Sequence, residues 1–249
     1  MDINWQKLSV AQLEEMYEAA GMITETMRVL HKSNTNVVAE LLRETESFLE
    51  WNHVPPGDIY DDESHSQYYY HAHPKSEEEA GIHDDEHGHF HTFMRGPGMP
   101  KDSAPKDVPD YNGDMELKDI LTHIIGIGMD ANATPIRFFT VNRWVTGEVW
   151  FDAADVIIML ERFEIDYVRP SWPVNLWLTN IIRLYKPLIK ELILERDKTI
   201  EKWKADHPDV DNVYEDRNLE VTSAADLNLM AFVTRLENEI ERRGLSDVA

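Results

Sequence analysis

The chain has 249 residues, with 24 Lys and Arg against 47 Asp and Glu, for a formal net charge of −23. Charge of that sign repels nucleic acid and anionic membrane surfaces, and it concentrates cations nearby. With no cysteine there can be no disulfide framework, thiolate zinc site, iron–sulfur cluster or cysteine nucleophile, so any bound metal must use nitrogen and oxygen ligands.

A hydrophobic content of 42% and an aromatic content of 10% are enough to bury a sizeable core. The expectation is a single domain over residues 1–249. No basic segment followed by an apolar one opens the chain, and no apolar run approaches the ~20 residues needed to span a bilayer. These features predict a soluble cytoplasmic protein that contacts neither nucleic acid nor membrane.

The chain begins with two predicted helices, covering residues 9–52. Ser9 and Gln12 form a capping box, after which Leu13, Met16, Tyr17, Ala20, Met27 and Leu30 recur at helical spacing. The second helix is expected over 35–52, until Pro55-Pro56-Gly57 stops it. Residues 58–66 read as an acidic turn.

A sheet is predicted over 66–150. Its first strand covers 66–73, where tyrosines and histidines favour a pleated surface. After an acidic connection, residues 87–93 alternate with period two and form the next strand. Residues 95–115 are a long loop rich in proline, glycine and charge. Two further strands are expected over 117–129 and 136–144, and the stretch up to Trp150 extends the sheet. The C-terminal part, 152–243, reads as helical. Asp152 caps a helix over 153–163, Ser171 caps a longer one that Pro187 kinks or splits, and a last helix covers 223–243. The order predicts an α+β fold: a small antiparallel β-meander flanked by N-terminal and C-terminal helices.

Seven of the eleven histidines lie within residues 65–91: His65, His71, His73, His83, His87, His89 and His91. Side chains two apart on a strand share a face, so Tyr69, His71 and His73 share one, as do His87, His89, His91 and Phe93. If the two strands form a hairpin, residues whose numbers sum to about 160 lie opposite each other. His71 then meets His89 and His73 meets His87, with Cβ atoms ~5 Å apart. His123, on the third strand, joins them if its parity matches.

Imidazole is the commonest side-chain metal ligand. Three histidines with an open position make a catalytic zinc site, whereas two histidines and a carboxylate make the ferrous iron site of oxygenases. The predicted centre is mononuclear, built from His71, His73, His89 and His91, with His87, His123 and Glu86 in reserve. Iron or zinc leads, with copper, manganese or nickel as other choices of divalent ion. A competing reading has the rings hydrogen-bonding to one another and to the acidic loop, and another has loose metal binding at an acidic surface. Against the former stands the free energy of burying ionisable rings beside aromatic ones without compensation.

The segment His71-Ala72-His73-Pro74-Lys75-Ser76-Glu77 is similar to the first cupin motif. That resemblance implies His71, His73 and Glu77 as ligands and a dioxygenase-like activity. It covers seven residues, and no second cupin motif with its own histidine follows. The run Glu86-His87-Gly88-His89-Phe90-His91, in this order of elements, resembles an uncharacterised family of bacterial proteins of unknown function.

Around the fourth strand, Arg137, Asn142, Arg143, Thr146 and Glu148 suggest a pocket for a small-molecule substrate. Arg143 is then the partner of an anionic group, or else it pairs with one of the many acidic residues. Tyr69, on the histidine face, is the candidate proton donor, with core packing as the competing role. Gly126-Ile127-Gly128 marks a place where a neighbouring group approaches the strand closely. His31, His53 and His207 read as isolated surface residues. No phosphate-binding glycine loop or nucleophile elbow is present.

Three functions follow: a metal-dependent enzyme (a non-haem iron oxygenase or a zinc hydrolase), a non-catalytic metal-handling protein, and an interaction module switched by histidine protonation near pH 6–6.5. The aromatic-rich C-terminal helices allow a homo-oligomer.

Overall fold

The computed structural model describes residues 3–43, 45, 49–72, 85–109 and 115–245. Its architecture is α+β: one antiparallel sheet with helices on one face. The sheet has six strands in sequential order, β1 (Val54–Tyr60), β2 (Ser66–His71), β3 (Glu86–Arg95), β4 (Leu121–Asp130), β5 (Pro135–Val141) and β6 (Val221–Asp226). The helices are α1 (Val10–Lys32), α2 (Val37–Leu42), α3 (Arg143–Thr146), α4 (Ala153–Arg162), α5 (Trp172–Asp206) and α6 (Leu229–Arg242).

Alternation divides the sheet residues into two sets. Tyr68, Tyr70, Phe90, Ile125, Ile127 and Phe138 belong to the main core, together with Leu13, Trp177, Ile181, Tyr185 and Leu236 of the helices. The ring of Phe90 meets Trp177, and that of Phe138 meets Tyr185. The Tyr68 hydroxyl donates to Asn175 Oδ1 at 2.6 Å, and Asn175 Nδ2 donates to the carbonyls of Tyr167 and Arg169. One buried amide thus joins sheet, α5 and the loop before it. The opposite face carries His71, His89, His91 and His123.

The predicted capping box of α1 is present: Ser9 Oγ accepts from Gln12 N–H, and Gln12 Oε1 accepts from Ser9 N–H. Several expected boundaries are corrected. The second helix spans only Val37–Leu42, not 35–52. Pro55-Pro56-Gly57 lies inside β1 rather than ending a helix. That position is an edge strand, where a missing N–H is tolerated. The sheet does not extend to Trp150: Asn142 caps α3, and Gly147, at φ 66°, ends it. Residues 221–226 form β6 rather than the start of the last helix. Pairing with β5 fills an otherwise open hydrogen-bonding edge and outweighs the helix preference of Ala224 and Ala225. Asn228 then caps α6, its side chain accepting from Ala231 N–H.

Asp152 and Ser171 occupy N-cap positions without a side-chain cap bond; the Asp152 carboxylate accepts from Lys106 instead. Pro187 does not split α5, which runs as one 35-residue element. Among the described residues β1 and β6 remain separate edges, so these strands form no cupin-like barrel. No described helix is long and apolar enough to cross a membrane.

Asn175→Ala removes three buried hydrogen bonds and orphans their partners. We expect a loss of about 2–4 kcal/mol, seen as a lower urea midpoint with an unchanged slope. A midpoint equal to the wild type would show that this amide does not secure the helices to the sheet.

Candidate metal centre

The β2–β3 hairpin pairs Tyr69 with His91 and His71 with His89, so these four residues share a face. Among the described residues, His71, His89 and His91 form a group whose ligand nitrogens all lie within 4.8 Å of one another. All three are buried, at 9%, 6% and 1% exposure. His71 Nε2 and His89 Nε2 are 2.7 Å apart, close enough for one shared proton. Ligands at ~2.0–2.1 Å from a tetrahedral ion stand roughly 3.3 Å from each other. A widening of about half an ångström would bring this pair to the spacing of two ligands on one ion.

Two irregularities in the β3–β4 ladder determine which other residues join the trio. Glu86 pairs with Asp130 and Gly88 with Met129, leaving His87 as an extra residue on β3. The bulge brings Glu86 onto the histidine face. Its Oε1 accepts from His89 Nδ1–H at 2.6 Å, and its Oε2 accepts from Arg137 Nε–H at 2.6 Å. His87 is displaced to the opposite side, where its Nδ1 is 2.8 Å from the Tyr70 hydroxyl. Farther along, Thr92 pairs with Ile125 and Phe93 with His123, which leaves Ile124 extra on β4. Plain alternation from Gly126 would point His123 at the helices; the bulge turns it toward His91. His91 Nδ1 and His123 Nε2 are 2.9 Å apart. Bulges commonly re-aim side chains beside functional sites.

The two glycines of β4 lie opposite two of the clustered histidines, Gly128 beside His89 and Gly126 beside His91. A Cβ at Gly128 would come within 2.4 Å of Glu86 Oε2, and one at Gly126 within 2.4 Å of Phe139 Cζ. The close approach read from Gly126-Ile127-Gly128 is that of the Glu86–Arg137 pair and the Phe139 ring. Arg137 also lies over Phe139, 4.4 Å from the ring centroid.

The electrostatics follow from burial and partners. Burial raises the Glu86 carboxyl, but bonds and charge from His89 and Arg137 prevail and hold it at about 2. Burial, followed by the charge of Arg196, depresses His123 to about 3, so it is neutral at pH 7. Behind it, burial pushes the Glu148 carboxyl up, against Arg196 and its own hydrogen bonds. Glu148 Oε2 accepts from the His123 backbone N–H at 2.7 Å and from the Thr122 hydroxyl at 2.8 Å. Burial likewise keeps the Tyr69 phenol protonated far above its ordinary range.

The remaining predicted residues fall as follows. His73, His83 and Glu77 lie outside the described residues. Tyr69 is beside the trio, with ring centroids 5.3 Å from both His71 and His91. Arg143 lies in α3, beyond the end of β5, and pairs with Glu215. The arginine next to the histidines is Arg137. His53 is less isolated than its sequence suggests: it stacks on Tyr69 at 3.5 Å, stands edge-on to His71 at 5.8 Å, and its Nδ1 is 2.8 Å from Asp58 Oδ1. Recognising 54–60 as a strand next to 66–71 is the signal that would have located it.

Fold and site together define an α+β protein with a buried histidine centre on one face of an antiparallel meander. The chain belongs to a family described as a domain of unknown function (DUF6969), whose model matches residues 17–227 and so spans every residue of the centre. An uncharacterised family is what the Glu86–His91 run led us to expect. Comparison with curated proteins and with solved structures finds no match.

The folded-state value of Glu86, about 2, lies below its ordinary 4.5. Its ionised form therefore stabilises the metal-free fold above about pH 4.5, and that contribution is lost as pH falls toward 2. In chelator-treated protein, the stability gap between wild type and Glu86→Gln should be wide at pH 7 and narrower at pH 3. A gap independent of pH would contradict the Glu86–His89–Arg137 array.

Proposed function

We propose that this protein is a metalloenzyme that holds one divalent ion through His71, His89 and His91. The observation that carries the reading is the meeting of three buried imidazoles, one of them oriented by a carboxylate through its other ring nitrogen. Metal-binding histidines commonly have such a carboxylate partner, which fixes the tautomer and raises ligand basicity. Glu86 fits this supporting role better than a ligand's, because both of its oxygens are engaged.

Three neutral nitrogen ligands leave room for water or substrate on the ion. Zinc would then activate water or polarise a carbonyl, and ferrous iron would bind oxygen. Tyr69, beside His71 and His91, is the candidate proton donor, with Phe93 and Phe139 as apolar walls for a small organic substrate. Arg143, engaged by Glu215, has no part in this scheme. A cytoplasmic setting belongs to the same proposal.

The runner-up is a histidine switch without metal. It draws on the 2.7 Å approach of His71 Nε2 to His89 Nε2, since protonating both rings would force them apart.

Elemental analysis of purified protein should find about one zinc or iron per chain. His89→Ala should lose it, and His207→Ala should retain it. Equal retention in the two variants would refute the assignment. Metal affinity should also fall as pH is lowered, because protons and the ion compete for the same ring nitrogens. A pH-independent affinity would place the ion on carboxylates instead.

A further inference from the structure

His123 had the credentials of a ligand, yet it is not part of the group of converging nitrogens. It stands behind His91, with its Nε2 2.9 Å from His91 Nδ1. We propose that His123 is a positioning residue: it accepts the Nδ1–H of His91 and so leaves His91 Nε2 to bind the ion. The metal half of this inference rests on the proposed function above.

Three observations support the role. First, a buried imidazole needs one of its nitrogens tied down if the other is to ligate reproducibly, because the neutral ring carries a single proton on either atom. Glu86 does this for His89, and His123 is the only other described residue holding a ring nitrogen of a trio member at hydrogen-bond distance from outside the trio.

Second, the backbone is arranged for it. His123 reaches this face only because Ile124 is an extra residue in β4. The buried Glu148 carboxylate accepts the His123 backbone N–H and the neighbouring Thr122 hydroxyl, holding the segment at the bulge. Ring contacts hold the imidazole from the sides, with Phe93 5.3 Å from it in an edge-on arrangement.

Third, the chemistry differs from that at His89. A carboxylate partner gives its histidine anionic character, whereas a neutral imidazole acceptor gives none. The two ligands would then differ in donor strength, and the net charge around the ion stays lower than with two carboxylates.

The test has two parts, so that this inference and the metal reading can fail separately. In chelator-treated wild type with ¹⁵N-labelled histidine, long-range ¹H–¹⁵N correlation reports the His91 tautomer. The expected form carries its proton on Nδ1; a proton on Nε2 overturns the proposal whatever the protein binds.

Zinc titration of His123→Gln and His123→Phe then separates positioning from ligation. Gln keeps an acceptor near the Nε2 position but is a poor zinc ligand. His123→Phe should weaken zinc binding about 10- to 100-fold, and His123→Gln should stay within about threefold of wild type. Equal, large losses in both would make His123 a ligand and overturn the positioning role, as would unchanged affinity in His123→Phe. If wild type takes up no zinc, the metalloenzyme reading falls, and the tautomer alone decides the role of His123.

Discussion

Two imidazole nitrogens 2.7 Å apart leave space for one proton, and the site is built around that constraint. Glu86 can only accept from His89 Nδ1, so the proton on that side of the ring is fixed. Burying several ionisable rings together is unfavourable unless each finds a partner. Here the partners form a connected series from Arg137 through Glu86, His89 and His71, with a second pair, His91 and His123, beside it. A divalent cation in place of the shared proton would satisfy the same nitrogens and complement a strongly acidic chain.

The backbone supplies this arrangement through departures from regularity. An ideal β3–β4 ladder would place His87 on the face of His89 and His91 and turn Glu86 and His123 away. One extra residue in each strand reverses both outcomes. The missing side chains at Gly126 and Gly128 provide the room that Phe139 and the Glu86–Arg137 pair occupy. The helices contribute from the other face. By packing on Tyr68, Tyr70, Phe90 and Phe138, they fix the sheet's alternation, and a sheet with one face so buried cannot slip by one residue without exposing its core.

The hairpin and its register could be read from alternation, since period two and paired His-x-His segments leave little choice about which rings meet. The α+β order and the α1 cap were equally legible. What stayed hidden has physical causes. β1 contains Pro-Pro-Gly, which reads as a stop signal because local propensity does not reveal that a strand sits at an edge. β6 consists of small residues whose conformation is set by the unpaired rim of β5, a tertiary effect. Bulges leave no sequence mark in a single chain, so plain parity puts His87 on the wrong face and leaves Glu86 and His123 undecided. The exchange of Arg143 for Arg137 has another origin: β5 ends at Val141, and the arginine beyond it turns away with α3.

In the proposed centre His71, His89 and His91 surround one cation. Crystals of the protein loaded with zinc or iron, measured on both sides of the metal's absorption edge, locate the ion independently of any assumed geometry. One anomalous peak per chain is expected, ~2.0–2.2 Å from a ring nitrogen of each of the three histidines. A peak elsewhere, or none while His71 and His89 still share their proton, would contradict it.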